Sequence, residues 1–373
     1  MRVHESRLLF SQQGHAAFSA SPLPFKEDHI KTYILFTALL ALAGQASACD
    51  LCGCYTPRLQ TEPSVAGMTS EPSWLTGVYG AVSEQFTHFG TLQLDGDEVS
   101  NPTDQFLDSS ITQLVGGYSF GRRFAVQVNV PLIYRSFARP EGFTIDRGTE
   151  SGLGDVSLTG QYVLFQTSSG GRREVNFDDP KSPRMIVEEP DFTFSAVALA
   201  GVKFPTGDSS RLKEEFNEVE VEGAPESGIH GHDLTLGTGS YDGLFGGQVA
   251  LRYRNFFFEQ NIQFTLRGDG LHQYHFANDL LWRGGPGYYF LRKERATVGL
   301  QAVISGEHKD VDRFQGRPAE DTGITSVFAG PRVTVSLGNV TAEISAELPL
   351  TIDNTALQVV PDYRISGAIA IHF

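Results

Sequence analysis

Between Asp208 and Asp233 the chain concentrates carboxylates and imidazoles, the side chains that hold metal ions. Glu214, Glu215, Glu218, Glu220, Glu222 and Glu226 are followed by His230-Gly231-His232-Asp233. Carboxylate oxygens suit calcium or magnesium, and neutral imidazoles suit zinc or copper. Two histidines with one residue between them share one face of a strand and can also converge in a turn. The pattern predicts at most a weak metal site on His230, His232 and Asp233, or a charge-selective loop. A solvated acidic loop with incidental histidines has the same composition.

A second reactive group is Cys49, Cys52 and Cys54. In an exported chain these predict a disulfide with one thiol left over. Ala46-Ser47-Ala48-Cys49 also loosely matches a lipoprotein cleavage box, which would lipidate Cys49. Three thiolates without a fourth ligand fit no standard zinc spacing, and no Cys-x-x-Cys-His supports covalent haem. No cofactor is expected.

Enzymatic constellations are missing from the sequence. No Gly-x-Ser-x-Gly fixes a nucleophile, and Gly237-Thr238-Gly239 lacks the Lys-Ser/Thr of a phosphate loop. We therefore expect no catalysis. The net charge of −15 over 373 residues disfavours nucleic acid as a partner.

What must position these side chains is legible from hydrophobic alternation. Phe124, Val126, Val128, Val130, Leu132 and Tyr134 alternate with Ala125, Gln127 and Asn129. Similar segments occupy 156–164, 256–266 and 340–348, and weaker ones lie near 74–88, 110–120, 192–204, 241–254, 275–291, 296–306 and 324–336. The final stretch, Tyr363 to Phe373, puts Ile365, Ile369, Ile371 and Phe373 on one parity and Arg364, Ser366 and His372 on the other. Helical periodicity is absent from this region, and the mean hydropathy of −0.17 is too polar for a helical membrane protein. Together the segments predict an all-β fold, a transmembrane antiparallel β-barrel of about twelve strands in the outer membrane. Phe373 would be the signal read by the barrel assembly machinery, and outer-membrane lipid would be the barrel's surroundings.

The apolar run from Tyr33 to Gly44, with Lys26 and Lys31 before it and Ala46-Ser47-Ala48 after it, reads as an export signal. The organisation expected is a signal at 1–48, a periplasmic lead-in with the cysteines at 49–73, and a barrel at 74–373. Links near residues 121–123, 254–255, 292–295 and 337–339 are short. Those near 89–109, 137–151, 205–240, 307–322 and 351–361 are long, and the 167–190 link is long on the short side. Asp155, Gln161, Arg252, Arg254, Glu259, Asn261, Gln263, Glu343, Glu347 and Arg364 fall on the polar parity and are expected to line the lumen.

Three glycine-rich segments occur in order: Gly152-Leu153-Gly154-Asp155-Val156, Gly201-Val202-Lys203-Phe204-Pro205-Thr206-Gly207 and Leu236-Gly237-Thr238-Gly239-Ser240-Tyr241-Asp242. With them the region from about 74 to 373 resembles the outer-membrane transporters named for the meta-cleavage pathway of phenol degradation. That resemblance implies a barrel passing small, often hydrophobic, solutes. The alternatives are a closed barrel with an anchoring role and a metal-associated outer-membrane protein.

Overall fold

The computed structural model describes residues 77–121, 123–170, 173–175, 185–187, 190–217, 221–293 and 296–373. The signal, the lead-in with Cys49, Cys52 and Cys54, and Glu218 and Glu220 lie outside the described residues.

Twelve strands form the wall. They are β1 Val78–Leu94, β2 Phe106–Phe120, β3 Phe124–Glu141, β4 Ser157–Ser169, β5 Phe192–Lys203 and β6 Asp242–Tyr253, followed by β7 Phe256–Leu266, β8 Asp279–Lys293, β9 Ala296–Lys309, β10 Ile324–Leu337, β11 Val340–Asn354 and β12 Leu357–His372. Each pairs antiparallel with its sequence neighbour, and β12 returns to β1 from Tyr79↔His372 to Leu94↔Leu357. Closure removes the sheet edge, so the wall's N–H and C=O groups can be paired inside lipid.

Alternation decides which face is which. On β3, Phe124, Val128, Leu132 and Tyr134 are exposed, whereas Ala125, Gln127, Asn129, Ile133 and Arg135 are buried. On β12, Ile365, Ile369 and Ile371 are exposed while Arg364 and Ala370 are buried. An apolar outside around a polar inside fits lipid as the outer solvent. At the short-turn end Tyr118, Phe120, Phe124, Tyr253, Phe256, Tyr288 and Phe290 are all exposed, with ring contacts joining Tyr118, Phe120 and Phe124 and joining Phe256, Tyr288 and Phe290, an aromatic girdle at the membrane boundary. No helix among the described residues is long and apolar enough to cross a membrane; strands make the crossing.

Four of the strand prolines sit where a ladder is broken or shifts register. Pro131 lies between the stretch of β3 that pairs with β4, ending at Asn129↔Ser157, and the stretch that pairs with the strand Thr144–Leu153, starting at Leu132↔Leu153. Pro331 occupies the gap between Ala329↔Leu348 and Arg332↔Ser345. Pro349 and Pro361 flank register shifts. A residue without an N–H costs least at such positions.

Two links differ from the expectation. Residues 137–151 are mostly strand, because β3 runs on to Glu141 and returns through Thr144–Leu153 as a ribbon above the wall. The expected long link at 351–361 shrinks to Thr355 and Ala356 between β11 and β12. Within the 167–190 link, Arg173–Val175 pairs with Met185–Val187.

Candidate functional site, a plugged polar lumen

The three glycine-rich segments meet at one buried point. Lys203, the last residue of β5, places its Nζ 3.0 Å from Asp155 Oδ2, 2.7 Å from Asp242 Oδ2 and 3.0 Å from Thr238 Oγ1. Asp155 also accepts from the Gly207 N–H (3.0 Å), the Thr238 N–H (2.9 Å) and the Thr238 hydroxyl (2.9 Å). Arg267 extends the chain of charges to Asp242 (3.0 Å) and Asp279. All five charged side chains are at least 95% buried, so each needs the others. Glycine is required here by space. A Cβ on Gly237 would stand 2.6 Å from Asp155 Oδ1 and 2.7 Å from the Gly207 Cα.

This cluster fastens the long β5–β6 link to the top of its own strands. From there the link turns into the barrel. Its Ile229 and Leu234 pack with Phe89, Leu107 and Phe137, and its Leu236 packs with Ile111 and Ile133. These wall residues have lumen-side parity, so the plug carries a small apolar core of its own inside the barrel. The fully buried Arg135 of β3 holds the plug backbone by donating to the carbonyls of Asp233 (2.6 Å) and Thr235. Val359 N–H of β12 donates to the Gly228 carbonyl (3.0 Å), and Gln105 bonds Glu226 and Gly228. The segment expected to be a solvated acidic loop is therefore largely a packed insert. Arg211 pairs with Glu150 and Glu214, and Arg139 with Glu214 (2.8 Å), so part of its acidity is neutralised.

The histidines lie in this insert, at the helical turn Gly231–Leu234. Their rings stack 5.6 Å apart. His232 Nδ1 is 3.1 Å from Glu215 Oε1, and its Nε2 is 3.5 Å from Asp233 Oδ1. His230 Nε2 is 3.3 Å from Asp321 Oδ2. Burial opposes the charged form of His232, but Asp233 and Glu215 outweigh it and hold the imidazole up to about 10. The same pair of histidines keeps Asp321 below its ordinary range, against the effect of burial. A protonated imidazole donates to carboxylates and binds no metal. Among the described residues no group of three or more His, Cys, Asp or Glu is arranged to hold a metal ion.

Below the plug the lumen holds a layer of charges on β7 to β12. Arg283 reaches Glu347, which also accepts from Ser305. Arg364 bonds Glu307 at 3.2 Å and lies over the Phe328 ring at 4.1 Å. Arg332 bonds Glu259 (3.1 Å), Glu343 (3.5 Å) and Gln301 Oε1 (2.8 Å). Asn261 and Gln263 share the parity of Glu259, and Gln161 donates to Gln127 Oε1 at 3.0 Å. Arg252 is buried near the short turns and donates to the Pro190 carbonyl at 3.3 Å. Arg254 departs from its expected place. It occupies the β6–β7 turn at φ 55°, 65% exposed, beside Asp191 and Tyr253, because that two-residue turn carries it past the end of the wall.

Arg135, Lys203, Arg267, Arg283, Glu307 and Arg332 were not picked out from the sequence. Parity was the available signal for Arg135, Arg283, Glu307 and Arg332, which continue the inward positions of their strands. For the plug, the signal was apolar residues on both parities at Leu132-Ile133, where something inside the barrel must cover Ile133.

No protein-family model matches the chain, and no curated protein matches it in sequence. Among solved structures, it is similar to an outer membrane channel from Pseudomonas putida F1, at 14% identity and a TM-score of 0.50 over 82% of this chain and 100% of that one. The beta domain of the Bordetella autotransporter BrkA aligns at 10% identity and a TM-score of 0.40, covering 79% of this chain and 100% of that one. A Pseudomonas aeruginosa FadL homologue aligns at 8% and 0.31, covering 80% and 90%. Only the first likeness carries weight, and at that identity it speaks to fold. The chain is an outer-membrane β-barrel.

Proposed function

We propose that this protein is an outer-membrane channel for small solutes. The observation that carries the reading is a polar, charge-bearing interior enclosed by a lipid-facing shell, a costly arrangement unless water or solute uses the interior. The Pseudomonas putida structure, described as an outer membrane channel, supports it by fold. The resemblance to the transporters named for meta-cleavage of phenols adds that the solute is small and often hydrophobic. In this reading residues 1–48 direct export, Asp155 and the inward charges shape the lumen, and Phe373 is read during assembly.

The packed insert favours a second reading, a closed barrel that anchors or scaffolds. Liposome swelling and planar-bilayer conductance separate the two. The channel reading expects solute-dependent swelling by the wild-type protein, increased when the plug is loosened by Lys203→Met. If neither protein passes any solute, charged or neutral, the anchoring reading stands.

A further inference from the structure

The lumen has two unlike walls. On β7 to β12, Arg283, Arg332 and Arg364 are bonded to Glu259, Glu307, Glu343 and Glu347, so the charges answer one another. On β1 to β5, below Arg135 and Lys203, no inward position among the described residues carries a charge. What stands there is a strip of amides and hydroxyls on three adjacent strands, Gln113 of β2, Gln127 and Asn129 of β3, and Thr159 and Gln161 of β4, with Ser109 of β2 at its upper edge opposite Arg135.

This strip is under-bonded. Ser109 Oγ, Gln113 Oε1, Gln127 Nε2, Asn129 Oδ1 and Thr159 Oγ1 are buried and have no hydrogen-bond partner. The five residues are at least 94% buried. Register places four of them together, since Gln127 lies opposite Thr159 and Asn129 opposite Val115, two residues from Gln113; Ser109 lies four residues beyond Gln113, opposite Arg135. Buried polar atoms are ordinarily paired, and four neighbouring orphans call for a missing partner. Most orphans on the facing wall belong to side chains that are already held, such as Arg283 and Arg364.

We infer that this uncharged strip is the solute-binding and selecting surface of the channel, and that its ligand class is an uncharged molecule carrying hydroxyl or carbonyl groups. The inference rests on the channel reading above and adds the substrate class. The chemistry follows from the inventory of atoms. Oε1 and Oδ1 accept, Nε2 donates, and the hydroxyls do either, so a solute hydroxyl finds both roles along the strip. An ion passing the same surface would shed hydration and gain no countercharge. The charges opposite are bonded to one another, three guanidiniums against four carboxylates, so that wall presents little net charge to a passing solute.

The test uses the full mature chain in proteoliposomes, with erythritol as the neutral probe and potassium tartrate as a charged probe of similar size. Erythritol is expected to enter about tenfold faster than tartrate, and Gln113→Leu/Asn129→Leu to slow erythritol at least about fivefold. Gln113→Glu changes little volume and puts a charge on the strip, so the reversal potential in a potassium chloride gradient should shift toward cation selectivity. Equal rates for the two probes, an unchanged erythritol rate in the double variant, or an unmoved reversal potential in Gln113→Glu would each overturn the strip as the selecting surface while leaving a channel. Impermeability of the wild type to both probes would remove the channel reading and this inference with it.

Discussion

Replacing Lys203 by methionine tests whether the plug is latched by the charge cluster. The substitution keeps most of the side-chain volume and removes the ammonium that bridges Asp155 and Asp242. Breaking a buried ion pair by deleting one partner costs about 3–5 kcal/mol, because the remaining charge is left uncompensated. The lower end applies. Asp155 keeps three donors from Gly207 and Thr238, and Asp242 keeps Arg267 and the Ser240 hydroxyl. About 3 kcal/mol corresponds to roughly a hundredfold rise in the open population of the plug. The ladder between β5 and its neighbours is untouched, so the loss should be local. Hydrogen exchange in lipid vesicles reads it directly, as faster exchange of residues 228–238 with the barrel strands unchanged. Lys203→Met/Asp242→Asn should recover part of the protection, since one orphaned carboxylate is gone. The reasoning fails if exchange in the plug stays within twofold of wild type, or if strands and plug lose protection together.

Gly237→Ala should loosen the same insert by about 1–3 kcal/mol through overpacking against Asp155 and the Gly207 backbone, read as increased proteolysis of residues 204–241 on intact cells; an unaltered cleavage rate would contradict the close approach. His232 gives a pH dependence. Its folded value, raised to about 10 from an ordinary 6.5, means that its stabilisation of the plug is full below pH 6.5 and is lost as pH rises toward 10. Protease protection of the insert should therefore decline from pH 7 to 10 in the wild type and stay flat in His232→Gln, and a matching decline in both would assign the effect elsewhere. Calorimetric titration with zinc at neutral pH should give the same heats for the wild type and for His230→Ala/His232→Ala, because both imidazoles face carboxylates; a heat lost only in the variant would restore the metal site.

Much of the wall was readable before any coordinates. Alternation is local, since successive side chains on a strand must face opposite ways, so Val128 and Gln127 declare their sides within a few residues. Short polar turns at Arg254-Asn255 and Gly338-Asn339 mark one rim for the same reason. Parity also placed Glu259, Glu343, Glu347 and Arg364 on the inner face, though it failed at Arg254, where the strand had already ended. The partner of each inward charge was not readable. Arg283 meets Glu347 across β9 and β10, and Arg364 meets Glu307 across β10 and β11, so both pairings depend on closure and strand order. The plug lay further still from sequence reasoning. Glutamates and histidines between Asp208 and Asp233 have the composition of a solvated loop. Ile229, Leu234 and Leu236 disclose their burial only beside Phe89, Leu107, Ile111, Ile133 and Phe137, residues that lie 92 to 145 positions away in the chain. The sequence determined the inside and outside of a sheet, because pleating is a property of each residue and its neighbours. Tertiary structure decided that the inside is filled, because burial of a loop depends on the space a closed wall leaves for it.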